Sequence, residues 1–205
     1  MRILVAISAM SVMLAMGISG CRIHVDKGAN GEEQKVQVDT PFGGVHVNTD
    51  QTTATDLGLP VYPGAQLYRD KDKNKSADVH VGFGDWQIRV RTVSYTTSDS
   101  RDKVVAFYKQ ALSRYGDVLT CQGHSAVGKP AFTAEGLSCD DDDRNTKFQV
   151  KNGDIATTAD LQLKAGSKRH QHIVGFESGE HGFTRFSLVA LELPASMGSD
   201  SKKRD

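Results

Sequence analysis

"ADVHVGFGDWQIRVRTVSYTTSDSRDKVVAFYKQALSRYG", residues 77–116, decides the fold class. Its first half alternates, with the period of two that marks a half-buried strand. Trp86, Ile88 and Val90 supply the apolar positions, and Val93 and Tyr95 follow them less strictly. Gln87, Arg89 and Arg91 between them are expected to face solvent. Gly82 and Gly84 flank Phe83 and mark a bend between two strands. The period then changes. Val104, Phe107, Tyr108, Ala111, Leu112 and Tyr115 form one stripe at helical spacing. Ser98, Asp99 and Ser100 offer an N-cap, Asp102 suits the first turn, and Gly116 stops the helix. The stripe predicts one main helix, about 100–115, packed on one face of a sheet.

The rest of the chain is read outward from this core. "KVQVDTPFGGVHV" (35–47) alternates on both sides of Pro41-Phe42-Gly43-Gly44, the pattern of a hairpin. This segment, 35–50, reads as an arm or as an added pair of strands; isolated hairpins are marginal in water, so it should dock on its own domain or on a partner. Thr52–Leu57 reads as a short helical turn closed by Gly58. "VLTCQGH", "GLSCD", "KFQVKN", "ADLQLKAG", "HQHIVGFES" and "RFSLVALELP" are further strand candidates, the last two as a hairpin around Gly179–Gly182. The sum predicts an α+β fold over residues 51–196: an antiparallel sheet, one helix on one face, and an N-terminal β-hairpin arm. Residues 197–205 are expected to be a disordered tail.

The first 20 residues belong to a different kind of segment. Arg2 precedes an apolar run from Ile3 to Ile18, about 16 residues, where a spanning helix needs roughly 20. That length suits a signal peptide. The run ends in Ile18-Ser19-Gly20-Cys21, which resembles the lipobox of bacterial lipoproteins. The resemblance implies cleavage before Cys21, acylation of its thiol and new amine, and anchoring to the bilayer through those chains. Two or three acyl chains hold a protein firmly where one does not. Residue 22 is Arg and not the Asp that in such lipoproteins favours the inner membrane, which points to the outer membrane. Residues 21–34, "CRIHVDKGANGEEQ", then read as a polar, lipidated tether. "LGLPVYPGAQ" (57–66) with "TTSDSRDKVVAFYKQAL" (96–112) is similar to a module of uncharacterised, Acidobacteria-like bacterial envelope lipoproteins, marked by a PVYPGA turn and a VxxFYxxxL helix. That resemblance implies membership and no activity.

Cysteine usage agrees with an extracytoplasmic site. With Cys21 acylated, Cys121 and Cys139 are left for each other, and in an oxidising compartment they read as a disulfide. Its loop of about 19 residues is worth on the order of 3 kcal/mol. The whole chain carries 25 basic and 25 acidic residues. Loss of residues 1–20 removes only Arg2, so the mature chain has no basic excess for phosphate contacts, and nucleic acid is not an expected partner.

Candidate chemistry is sparse. Asp70, Asp72, Asn74, Ser76 and Asp78 place oxygens at alternate positions, as a calcium loop does. However, Lys75 stands where that loop needs Gly, Val81 stands where it needs Glu, and three lysines interleave; a solvated turn is the expectation. Asp141, Asp143 and Asn145 begin a similar run that nothing completes. His170 and His172, two apart on a strand, share a face and could hold a metal, but no third ligand is evident; a solvent-facing pair is the plainer reading. His46, His80 and His124 show no spacing signal. No nucleophile elbow, phosphate loop or zinc-protease motif occurs. The expectation is a non-catalytic, cofactor-free, membrane-tethered envelope lipoprotein that binds a protein or envelope component through its sheet or through "PFGGVHV"; the alternative is a small-ligand or metal-ion binding protein.

Overall fold

The structure is a computed structural model and describes residues 21–27, 33–68, 76–139, 160–177 and 182–198. The strands are β1 (Arg22–Lys27), β2 (Glu33–Thr40), β3 (Gly43–Thr49), β4 (Gln66–Leu67), β5 (Ser76–Phe83) and β6 (Trp86–Thr97), then β7 (Leu119–Gln122), β8 (Ser125–Ala126), β9 (Leu161–Ser167), β10 (His170–Glu177) and β11 (Thr184–Glu192). All pair antiparallel in one sheet, in the order β1-β2-β3-β5-β6-β11-β10-β9-β7-β8, with β4 beside the far end of β6. The helices are α1 (Arg101–Leu112) and the single turn α2 (Ala195–Gly198).

The expected α+β class is overturned. Eleven strands in one sheet with one helix longer than a turn, among the described residues, make a β-rich fold. The helix is where its stripe predicts, and Val104, Tyr108 and Leu112 are buried. It packs over β9 and β10, leaving most of the sheet uncovered by it. Of the two readings of the hairpin of β2 and β3, the structure has the added pair of strands and not an isolated arm. β3 pairs with β5 over seven residues, from Gly43 with Phe83 to Thr49 with Ala77, and so extends the main sheet. Gly43 permits the join: a Cβ there would lie 2.1 Å from the carbonyl oxygen of Gly82.

The segment expected to be a tether also differs. Arg22–Lys27 pairs with β2, Arg22 opposite Asp39 and Val25 opposite Val36, and forms the sheet's edge. Its Ile23 and Val25 already alternate with polar neighbours, which suits a strand once a partner is beside it. "GLSCD" contributes only an isolated bridge between Phe132 and Ser138. Residues 197–198 belong to α2. The signal-peptide expectation, "KFQVKN", the Asp141–Asn145 run and residues 199–205 lie outside the described residues.

The main core lies between one sheet face and a layer of α1 with the segment 54–62. Val93 and Tyr95 of β6, Phe186 and Leu188 of β11, Val174 and Phe176 of β10 and Leu163 of β9 meet Leu57, Leu59, Tyr62, Tyr108 and Leu112 there. Phe186 is the hub, with ring contacts to Tyr62, Tyr95, Tyr108 and Phe176 at 5.5–6.4 Å. Tyr62 also donates to the Asp99 carboxylate at 2.9 Å, tying this layer to the start of α1. On the opposite face, Leu119 and Cys121 meet Leu137 and Cys139 in a second buried cluster. Cys121 and Cys139 are joined, with sulfurs 2.07 Å apart.

Candidate binding surface

The alternation of β6 changes meaning halfway along. Val93 and Tyr95 face the core beneath α1. Arg89 and Arg91, four and two residues before Val93, share that face, while Ile88 and Val90 lie on the other. The N-terminal part of the sheet therefore has its apolar side opposite to the main core. Antiparallel registers carry this through five strands. One cross-strand row runs Ile23, Val38, Val45, Val81 and Ile88. The next runs Val25, Val36, Val47, Val79, Val90 and Leu191. The inner valines are half-buried, Ile88 at the β6 end of its row is buried at 6% exposure, and Ile23, on the edge strand, is 70% exposed. Neither buried cluster of the described residues includes these side chains.

The other face of the same strands is polar. One row runs His24, Gln37, His46, His80, Arg89, Glu192 and His170. His46 and His80 meet edge to face with centroids 6.0 Å apart. The His46 ring nitrogen lies 2.9 Å from Asp39, and that contact, with the Gln37 amide, holds the Asp39 carboxyl below its ordinary range. The next row contains Lys35, Asn48, Asp78, Arg91, Ala190 and His172.

These rows border a polar cleft of about 320 Å³ lined by Asn48, Gln51, Thr52, Asp56, Asp78, Arg89 and Arg91. Arg89 grips Asp78 with two hydrogen bonds, 2.9 and 2.6 Å. Arg91 donates to the Glu192 carboxylate and to the Asp56 carbonyl, and its buried Nε has no partner among the described residues. Asp56 accepts from the Thr53 hydroxyl at 2.7 Å and the Thr53 amide at 2.8 Å, which holds its carboxyl low. Carboxylates and guanidiniums thus balance one another, an arrangement suited to holding a polar group.

The residues singled out in sequence are scattered. Cys21 is exposed and directly precedes β1. Asp70, Asp72 and Asn74 lie outside the described residues, and Asp78 is taken by Arg89. His170 is exposed, but His172 is not the solvent-facing partner expected. Its ring stacks under Tyr115, and burial, opposed by a hydrogen bond to the Leu57 carbonyl, lowers its pKa. Arg89 and Arg91, expected to face solvent, are half-buried in ion pairs. Among the described residues, no three His, Cys, Asp or Glu side chains are grouped to hold a metal ion, and no helix is long and apolar enough to cross a membrane. The histidine row was missed because each member sits on a different strand. Only the alternation of His46 and His80 with valines hinted that they share a face.

Comparisons with family models, with curated proteins and with solved structures find no match. The lipoprotein resemblance rests on residues 3–21, 57–66 and 96–112 alone.

Proposed function

We propose that the protein is a non-catalytic lipoprotein of the bacterial cell envelope, anchored in the outer membrane through acylated Cys21, and that it binds an envelope component through the N-terminal part of its sheet. The observation that carries the binding half is the two-sided character of β1, β2, β3 and β5. These strands lie outside the layer formed by α1 and the segment 54–62. They present an apolar ladder on one side, a histidine and ion-pair face on the other, and the outer edge of β1, which pairs with no second strand among the described residues. A free edge strand offers unpaired backbone groups to a partner. The mutual neutralisation of charges in the cleft favours recognition over bond-making.

Support for the anchor comes from the apolar run that ends at Cys21 and from the exposure of that residue. The test is metabolic labelling with a fatty acid followed by fractionation. The wild-type chain should carry label and sediment with membranes, and Cys21→Ser should carry none. A wild-type chain without label would contradict the proposal.

A further inference from the structure

We propose that the Val/Ile face of β1, β2, β3, β5 and the first half of β6 lies on the bilayer that anchors Cys21, so that anchor and sheet share one lipid surface. This deepens the lipid-anchor reading and rests on it.

Three observations converge. The first is the place of Cys21. It directly precedes Arg22, and the alternation of β1 carried back one residue puts it on the side of Ile23 and Val25. Acyl chains on its thiol would leave from the apolar side of the sheet.

The second is the division of charge. The two rows on this face, from Ile23 to Ile88 and from Val25 to Leu191, contain no charged residue. The opposite face carries Asp39, Asp78, Arg89 and the histidines. A sheet so divided has one side for hydrocarbon and one for water, by the logic of an amphipathic helix at an interface. Exposure on this face is greatest at the edge, where Ile23 is 70% and Val25 41% exposed, and falls inward through half-buried valines to buried Ile88; a contiguous apolar face that stays partly open to solvent marks a contact surface.

The third is the aromatic rim. Arg22 pairs with Asp39, one residue from the β2–β3 turn, and Gly43 beyond that turn pairs with Phe83, which pairs with Trp86. Cys21, Phe42, Phe83 and Trp86 therefore share one end of the sheet. Phe42 is 84% exposed, and the Phe83 and Trp86 rings lie 6.1 Å apart. A Trp ring settles at the boundary between headgroups and acyl chains, and Phe rings beside it join the apolar face that enters the acyl layer. The end that carries the lipid is the end that carries the rings.

Trp86 is the chain's single tryptophan and reports on this face directly. The acylated wild-type protein is reconstituted into phosphatidylethanolamine–phosphatidylglycerol vesicles with brominated acyl chains. The expected result is loss of most of the Trp86 emission relative to unbrominated vesicles. Val47→Glu, in the middle of the ladder, should recover that emission while the acyl chains still hold the protein on the vesicles. The milder double variant Val47→Thr/Val79→Thr keeps β-branched side chains and should recover part of it. Undiminished Trp86 emission in brominated vesicles would overturn the proposal. So would shielding of Trp86 that grows with protein concentration without bromine quenching, since a second copy would then cover the face. Mass spectrometry of the N-terminal peptide from the same sample reports the anchor separately. If Cys21 proves unmodified, the anchor reading fails; bromine quenching on vesicles added to that protein would still support a lipid-facing sheet, and its absence would overturn it.

Discussion

Tyr115 stacks on His172 with ring centroids 3.7 Å apart and planes 21° from parallel. The Tyr115 hydroxyl donates to the Gly58 carbonyl at 2.5 Å, and Arg114 donates to the same carbonyl. Gly58 itself closes the short helical turn at a φ of +71°, and a Cβ there would meet the Tyr115 oxygen at 2.6 Å. The end of α1, the turn before the core segment and strand β10 are thus locked around one imidazole.

This lock makes stability depend on pH. Burial first, and the Arg114 and Arg91 charges after it, hold the His172 pKa below its ordinary 6.5 against the opposing Leu57 carbonyl. In the unfolded chain His172 takes up a proton as pH falls through about 6.5, while in the folded chain it resists. Stability is therefore unaffected by this group above pH 6.5 and declines as pH falls below it, levelling off under the folded pKa. His172→Phe keeps a ring beneath Tyr115 and removes the titration. Urea midpoints should fall from pH 7 to pH 5 more steeply in wild type than in this variant; equal slopes would contradict the assignment.

The disulfide supports the small cluster on the sheet face opposite α1. Cys121 and Cys139 close a loop with a sequence separation of 18 and sit with Leu119 and Leu137. Cys121→Ala/Cys139→Ala should lower the unfolding free energy by about 3 kcal/mol, in the range for loops of this size. An unchanged denaturation midpoint would show that the crosslink constrains nothing in the unfolded chain.

Gly43 tests whether the N-terminal strands are held by the main sheet. Gly43→Ala forces a methyl group against the Gly82 carbonyl, so β3 and β5 must separate at that end. Amide exchange should quicken in β2 and β3 and stay slow in α1 and β10. Unchanged exchange in β3 would mean that the close approach is easily relieved.

How much of this was legible follows from which interactions are local. The helix at 101–112 was plain because its stripe and its stop at Gly116 are written in consecutive turns. The hairpin around Pro41 and Phe42 was plain for the same reason. The disulfide followed from counting thiols. The fold class was not legible, because nothing within residues 35–49 says that Val45 pairs with Val81 and thereby lengthens the main sheet. Strand β1 was hidden because five alternating residues in a polar setting are also what a tether looks like. β6 did carry a signal. Its apolar residues change parity between Val90 and Val93, which records the point where the covered face changes sides. The histidine row needed registers across several strands, and the Asp56–Arg91 contact needed the docking of the 55–57 turn against β6; no short-range pattern contains either.

The most direct test of the account is the mass of the N-terminal peptide of the protein purified from envelope membranes. The account predicts a chain that begins at Cys21, with its thiol carrying a diacylglyceryl group and its amine acylated. A peptide that runs unbroken from Gly20 into an unmodified Cys21 would contradict it.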